Sequence, residues 1–230
     1  MCPTREHFFS IMKNKTAILI DGAFFLKRFN KTYGYSLDPV YVAKKMYSMS
    51  MNHLKKDNDH LHRIFFYDCY PFDKRQHNPI SNKCIDFAKT DISKFKLLFF
   101  EELKRKRKVA LRLSSLHDSK HWKIKPNVLK TLFKKEKDIN DLTENDVEYG
   151  IQQKGTDIMI GIDIASLVFK KQVDRIILIS GDSDFIPAAK LARREGIDFI
   201  LDPMWVPIKP KLFEHIDGLH SECPKPQKKK

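Results

Sequence analysis

The chain has 230 residues, 42% of them hydrophobic, with a formal net charge of +14 and a pI near 9.5. That length suits one substantial α/β domain, or a domain carrying an insertion, and the apolar content excludes wholesale disorder. No run of about 18 apolar residues is present, which excludes a spanning helix, and residues 1–15 lack the apolar stretch of a secretory signal. Cys2, Cys69, Cys84 and Cys223 are scattered without metal-ligand spacing, as expected of free thiols in a reducing cytoplasm.

Residues 16–20 (TAILI) form a continuous apolar run ending at Asp21 and Gly22, the pattern of a strand buried on both faces of a parallel sheet. Asp38 reads as the N-cap of a helix over 39–51, with Pro39 in its first turn. Residues 63–67 (RIFFY) form a second buried strand that closes on Asp68 before Pro71, and a helix is expected over 80–103. Residues 109–113 alternate apolar and basic, and 121–125 do so weakly. With the polar 114–120 between them they are expected to form a hairpin or a short insertion.

The last third is more regular. Gly155 and Thr156 introduce a helix over 157–169, and 175–179 (RIILI) is a third buried strand running into Ser180-Gly-Asp-Ser-Asp184. A helix over 185–195 is closed by Gly196 as a left-handed cap, a strand follows at 197–201, and a last helix covers 209–216. Strands and helices alternating at short connections build a mainly parallel sheet. The expected organisation is a single domain over 1–220, with a disordered basic tail over 221–230.

Three buried strands therefore each end in acid: Asp21, Asp68 and the pair Asp182 and Asp184. In an open parallel sheet the carboxyl ends of the strands form the ligand crevice. Asp157 opens a helix just after Lys154 and Gly155 and can join them. Two carboxylates about 5 Å apart repel by roughly 3 kcal/mol at an effective dielectric near 20, so such a cluster stays ionised only around a cation. Oxygen ligands without well-placed Cys or His favour Mg²⁺ or Mn²⁺, ions that activate water and steady the charge growing on a phosphodiester. Each acid also has a plain structural use: helix dipole for Asp157, cap for Asp182, turn chemistry for Asp21. Asp163 is a weaker candidate, lying about 120° from Asp157 around their helix. Asp68, beside a proline turn, is weaker as well.

The charge is concentrated. Between residues 104 and 135 stand Lys104, Arg105, Lys106, Arg107, Lys108, Arg112, Lys120, Lys123, Lys125, Lys130, Lys134 and Lys135, against one acid, Asp118. His117, His121 and Trp122 lie among them. Cations interleaved with an aromatic ring suit a phosphate backbone whose bases stack, although a charge run is also what a solvated surface looks like.

Three motifs, IDGAFF over 20–25, KGTDIMIGID over 154–163 and SGDSDF over 180–185, resemble the NYN domain of the LabA-like branch, within the PIN-like nucleases. The similarity extends to the Tyr67–Asp68 strand end and to residues 212–219. The resemblance implies a PIN-like three-layer α/β/α sandwich, with the basic segment as an insertion or hairpin in its middle third. It implies Mg²⁺ or Mn²⁺ held by Asp21, Asp157, Asp182 and Asp184, with Asp163 as a second family acid on the helix, and hydrolysis of single-stranded or structured RNA. Lys154 then approaches a phosphate. Many relatives carry an asparagine where this chain has Phe24, so substrate positioning differs here.

Other readings are poorer or of another class. A haloacid-dehalogenase-type phosphatase needs an aspartate at position 23, which is Ala23, and a Toprim-like nuclease needs a glutamate ending an early strand. A non-catalytic RNA-binding or adaptor protein on the same fold is the rival, favoured by Phe24 and the basic stripe. DNA stays open as a substrate, because backbone contacts and an aspartate site do not distinguish the sugar. No membrane partner is expected, and no feature of the sequence specifies an oligomeric state.

Overall fold

The computed structural model describes residues 13–55 and 58–226. In chain order the elements are β1 (Asn14–Asp21), α1 (Gly22–Tyr33), α2 (Pro39–Asn52), β2 (Asp59–Cys69), β3 (Arg75–His77), β4 (Cys84–Asp86), α3 (Asp91–Lys104), β5 (Val109–Ser114), β6 (Leu116–Ile124), α4 (Pro126–Phe133), β7 (Val147–Gln153), α5 (Thr156–Phe169), β8 (Arg175–Ile179), α6 (Ile186–Arg194), β9 (Asp198–Asp202), α7 (Pro210–Phe213) and β10 (Gly218–Leu219).

The unbroken apolar runs are the middle of the sheet. Ala17 to Ile20 on β1 and Ile176 to Ile179 on β8 are almost fully withdrawn from water, and each such aliphatic side chain contributes roughly 1.5–3 kcal/mol by burial. The six-stranded sheet has the order β10-β9-β8-β1-β2-β5, and every pairing in it is parallel. Helices α1, α2 and α3 cover one face through Phe25, Phe29, Met46, Phe99 and Leu103. Helices α5, α6 and α7 cover the other through Ile160, Ile164, Ala189 and Leu212. The result is the three-layer α/β/α sandwich expected from the sequence.

From β1 the chain works outward to β2 and β5 under one helical layer. It then returns to β8, on the other side of β1, and works outward to β9 and β10 under the second layer. The boundary between β1 and β8 is thus a topological switch point, where the loops leaving the carboxyl ends part to opposite faces and open a crevice.

The middle of the chain departs from expectation. The helix expected over 80–103 begins only at Asp91. Ahead of it, β3 and β4 form a two-stranded antiparallel ribbon, and Phe87 packs against Phe72 and Tyr149. Residues 109–113 and 121–125 do not pair with each other. β5 joins the main sheet beside β2, whereas β6 pairs with the distant β7. The last helix is shorter than expected, ending at Phe213.

Part of the stretch expected as a tail is packed against the domain. Cys223 is buried, and its carbonyl accepts from the indole Nε1 of Trp205 at 2.6 Å. Residues 227–230, Cys2 and the rest of the first twelve residues lie outside the described part. Cys69, Cys84 and Cys223 are free thiols. Among the described residues no helix is long and apolar enough to cross a membrane.

Candidate active site

The switch point is built from very short connections. Asp21 is both the last residue of β1 and the N-cap of α1, its Oδ1 accepting from the backbone N–H of Phe24 at 3.1 Å. The next position admits only glycine. A Cβ on Gly22 would lie 2.5 Å from the Tyr67 carbonyl oxygen and 2.7 Å from the Phe66 ring. Strand register then places Asp21 level with Tyr67, and Ile20 level with Ile179, so Asp21, Asp68 and the loop after β8 share one sheet edge.

In that loop the Asp182 N–H donates to the Ser180 hydroxyl at 3.2 Å, and the Asp184 N–H donates to Asp182 Oδ1 at 3.0 Å. The Phe24 ring lies flush against the backbone here, since a Cβ on Gly181 would stand 2.8 Å from it. Phe24 therefore supports the loop that carries the two aspartates. Asp182 and Asp184 are themselves exposed.

Asp157 lies in the first turn of α5. The start of that helix is tied to the sheet by Thr156, whose buried hydroxyl receives the Gln153 amide at 2.6 Å and meets the Ser114 hydroxyl at 3.3 Å. Neither Thr156 nor Ser114 stands out in the sequence, because a small hydroxyl residue carries no motif of its own.

Electrostatics shows that these acids sense one another. Burial, and then the charges of Asp157, Asp68 and Asp182, push the Asp21 carboxyl up to about 6 against the lowering hydrogen bond from Phe24. The Asp157 carboxyl is also raised, first by burial and then by Asp182 and Asp184. Asp21 and Asp182 thus serve as caps while Asp21 stays within electrostatic reach of Asp157 and Asp182.

The two weaker candidates have partners. Asp68 is fully buried. Its Oδ1 takes the Lys96 ammonium at 2.7 Å and its own neighbour's N–H, from Cys69, at 2.7 Å, while its Oδ2 has no hydrogen-bond partner. Asp163 sits about 9 Å further along α5 than Asp157 at helical rise. There its Oδ2 accepts from the Tyr67 hydroxyl at 2.8 Å and pairs with Arg112 Nε at 3.0 Å. Lys96 gives no signal in the sequence because it lies inside a hydrophobic segment.

Among the described residues no three His, Cys, Asp or Glu side chains form a group that could hold a metal ion. In chemistry, however, the donors of this edge suit a hard divalent cation: they are carboxylate oxygens, two of them carry pKa values raised by burial and mutual repulsion, and Asp68 Oδ2 is an orphaned buried acceptor.

The basic stripe does not lie as one surface. β5 runs toward the carboxyl edge of the sheet, so residues 104–108, which precede it, lie toward the amino edge, and Ser114 ends at the carboxyl edge. At the amino edge, Lys108 Nζ donates to the Leu61 carbonyl, and Lys104 and Arg105 pair with Glu101 and Glu102 of α3. Leu61 and Asp68 are seven positions apart on β2, about 23 Å at strand rise. Residues 104–108 therefore lie away from the aspartates.

At the carboxyl edge, Arg112 is paired with Asp163, Lys123 with Glu148, and Lys125 Nζ donates to the Asn145 carbonyl. Trp122 meets Tyr149 edge-on at 5.5 Å. It belongs to a small aromatic cluster with Phe72 and Phe87 and is not a free stacking platform. Lys120 and Lys154 remain exposed there.

A family model for the NYN domain matches residues 85–204, a stretch that holds Asp157, Asp163, Asp182 and Asp184 but not Asp21 or Asp68. NYN domains belong to the PIN-like nuclease superfamily. No curated protein matches the chain. Among solved structures, it is similar to a protein of unknown function from Vibrio parahaemolyticus at 15% identity and a TM-score of 0.45, over 91% of this chain and 93% of the other. It is also similar to a putative oxidoreductase from Parabacteroides merdae at 10% identity and a TM-score of 0.29, over 88% of this chain and 27% of the other.

Proposed function

We propose that this chain, which belongs to the NYN domain family, is a metal-dependent ribonuclease that cuts RNA internally at the edge where Asp21, Asp157, Asp182 and Asp184 gather. The observation that carries the reading is the switch point between β1 and β8, where Asp21 and the Asp182–Asp184 loop face one crevice and Asp157 joins them from α5. Mg²⁺ or Mn²⁺, when bound, activates a water and offsets charge on the phosphodiester.

The chain's own residues divide the remaining work. Asp21, partly buried and fixed by Phe24, anchors the inner side of the ligand set, with Asp157, Asp182 and Asp184 on the solvent side. Lys154 and Lys120 are exposed on the same edge and meet RNA phosphates flanking the cut. Asp163 and Asp68 act one layer back: Asp163 orients Tyr67 and Arg112, and Asp68 keeps a negative charge behind Asp21. The same chemistry on a cytoplasmic RNA is the biological setting that this reading favours.

A non-catalytic RNA-binding protein is the second reading, favoured by Phe24 packed where a polar residue stands in many relatives. End-labelled single-stranded RNA incubated with Mg²⁺ or Mn²⁺, with EDTA as control, separates the two. Metal-dependent internal cuts support the ribonuclease. Tight binding with no cut under any metal assigns the protein to the second reading.

A further inference from the structure

The sheet edge opposite the aspartates carries its own concentration of positive charge around a cavity. Lys15 from β1, Arg63 from β2, and Lys106, Arg107 and Lys108 from the turn before β5 come together from three distant stretches of chain, with His60 and His62 beside them. Two described acids at this edge are already engaged. Asp59 accepts from Arg175 at 2.8 Å, and Asp174 accepts from the Lys15 N–H at 2.7 Å. Lys106 and Arg107 have no ion-pair partner among the described residues. The field is felt locally: burial first, and then Arg63, Lys15, Lys108 and His60, lower the pKa of His62.

Between the end of α2 and the start of β2 lies a cavity of about 670 Å³. Tyr47, Met51, Leu54 and Leu61 give it apolar walls, and Asn52, His60, Arg107, Lys108 and Asp59, the last paired with Arg175, complete the lining. A recess with apolar and aromatic walls and two cations in its lining suits a flat base with its phosphate against those cations. A duplex keeps its bases stacked inside and has nothing to insert. A patch of acidic protein has phosphate-like charge but no flat ring.

We propose that this edge is a second RNA-binding site, remote from the cleavage edge, which holds a single-stranded stretch of the substrate with one nucleotide seated in the α2–β2 cavity. The proposal rests on the ribonuclease reading only for the word substrate. Because Leu61 and Asp68 stand about 23 Å apart along β2, an RNA must cover at least that distance over the surface to reach both edges. Longer RNA then binds more tightly than a fragment that fills one edge alone.

The test is equilibrium binding by fluorescence anisotropy in EDTA, with Asp182→Asn protein so that no RNA is cut, using single strands of about 4 and about 30 nucleotides. Lys106→Glu/Arg107→Glu is compared with Tyr47→Ala, a wall variant that keeps every charge. The charge variant is expected to weaken binding of the long strand roughly tenfold and to flatten the salt slope by about 0.7 for each phosphate it no longer neutralises. The long-over-short preference should shrink accordingly. Tyr47→Ala is expected to weaken the long strand several-fold with an unchanged salt slope.

Unaltered affinity for the long strand in both variants would overturn the proposal. So would equal weakening of the long and short strands, or binding of duplex RNA or anionic vesicles as tight as that of the single strand. Absence of cleavage by the unmodified protein in Mg²⁺ or Mn²⁺ would sink the ribonuclease reading alone and leave this binding result standing.

Discussion

The Lys96 ammonium lies 2.7 Å from Asp68 Oδ1, and the Asp68 side chain is fully shielded from solvent. A buried charge that loses its partner is costly, typically by about 3–5 kcal/mol. Lys96→Met is therefore expected to destabilise the protein by about 3 kcal/mol, because it strands the Asp68 carboxylate. The combined Lys96→Met/Asp68→Asn protein recovers part of that loss. Urea unfolding of both variants measures the difference, and an unchanged midpoint for Lys96→Met contradicts the pairing.

The Asp21 carboxyl, raised to about 6 from an ordinary 3.8, makes folding sensitive to pH when no divalent ion is present. A raised pKa means that the folded state holds its proton more tightly than the unfolded chain. This group's contribution is therefore fully present below about pH 4 and is lost as pH rises to about 6. The loss is on the order of 3 kcal/mol. Asp21→Asn keeps the amide oxygen that caps Phe24 and removes the titration. In EDTA it is expected to be more stable than the unmodified protein at pH 8 and to lose that advantage near pH 4. Greater stability of the unmodified protein at pH 8 contradicts the cluster.

Phe24 and Gly181 form one contact, so changes at the two positions are coupled. Gly181→Ala forces the Phe24 ring away from the loop and is expected to cost about 1–3 kcal/mol. Phe24→Leu, with a smaller side chain, relieves it. A thermal-denaturation double-mutant cycle should return a coupling of about 1 kcal/mol or more, and additive effects count against the packing described.

Asp157 and Asp163 share a helix but face different neighbours. Asp157→Asn is expected to abolish cleavage with the fold intact. Asp163→Asn is expected to retain cleavage within about tenfold while losing about 1 kcal/mol of stability, from weaker bonds to Tyr67 and Arg112. Loss of cleavage in a folded Asp163→Asn protein moves that residue into the acid group.

Strands β1, β2, β8 and β9 are legible in the sequence because strands covered on both faces write themselves as unbroken apolar runs. Their ends, and hence Asp21, Asp68 and Asp182, follow directly. Helix α1 is not legible: Asp21 ends the strand and caps the helix at once, leaving no loop between them. The β3–β4 ribbon is hidden because its strands have three residues each and Phe87 is held by tertiary contact with Phe72 and Tyr149. β7, reading VEYGIQQ, pairs with a strand more than twenty residues upstream, and periodicity carries no information about that. The division of the basic stripe is concealed for a topological reason. Residues 108 and 114 are six apart in sequence, but 108 lies toward the amino edge of the sheet and 114 at the carboxyl edge.

The most direct test of the central claim is single-turnover cleavage of single-stranded RNA in Mn²⁺ by unmodified and Asp182→Asn protein, with RNA affinity measured in parallel. The account predicts a cleavage rate lower by roughly a thousandfold, about 4 kcal/mol in the barrier, at nearly equal affinity. Equal rates in the two proteins would show that the gathered aspartates do not do the cutting.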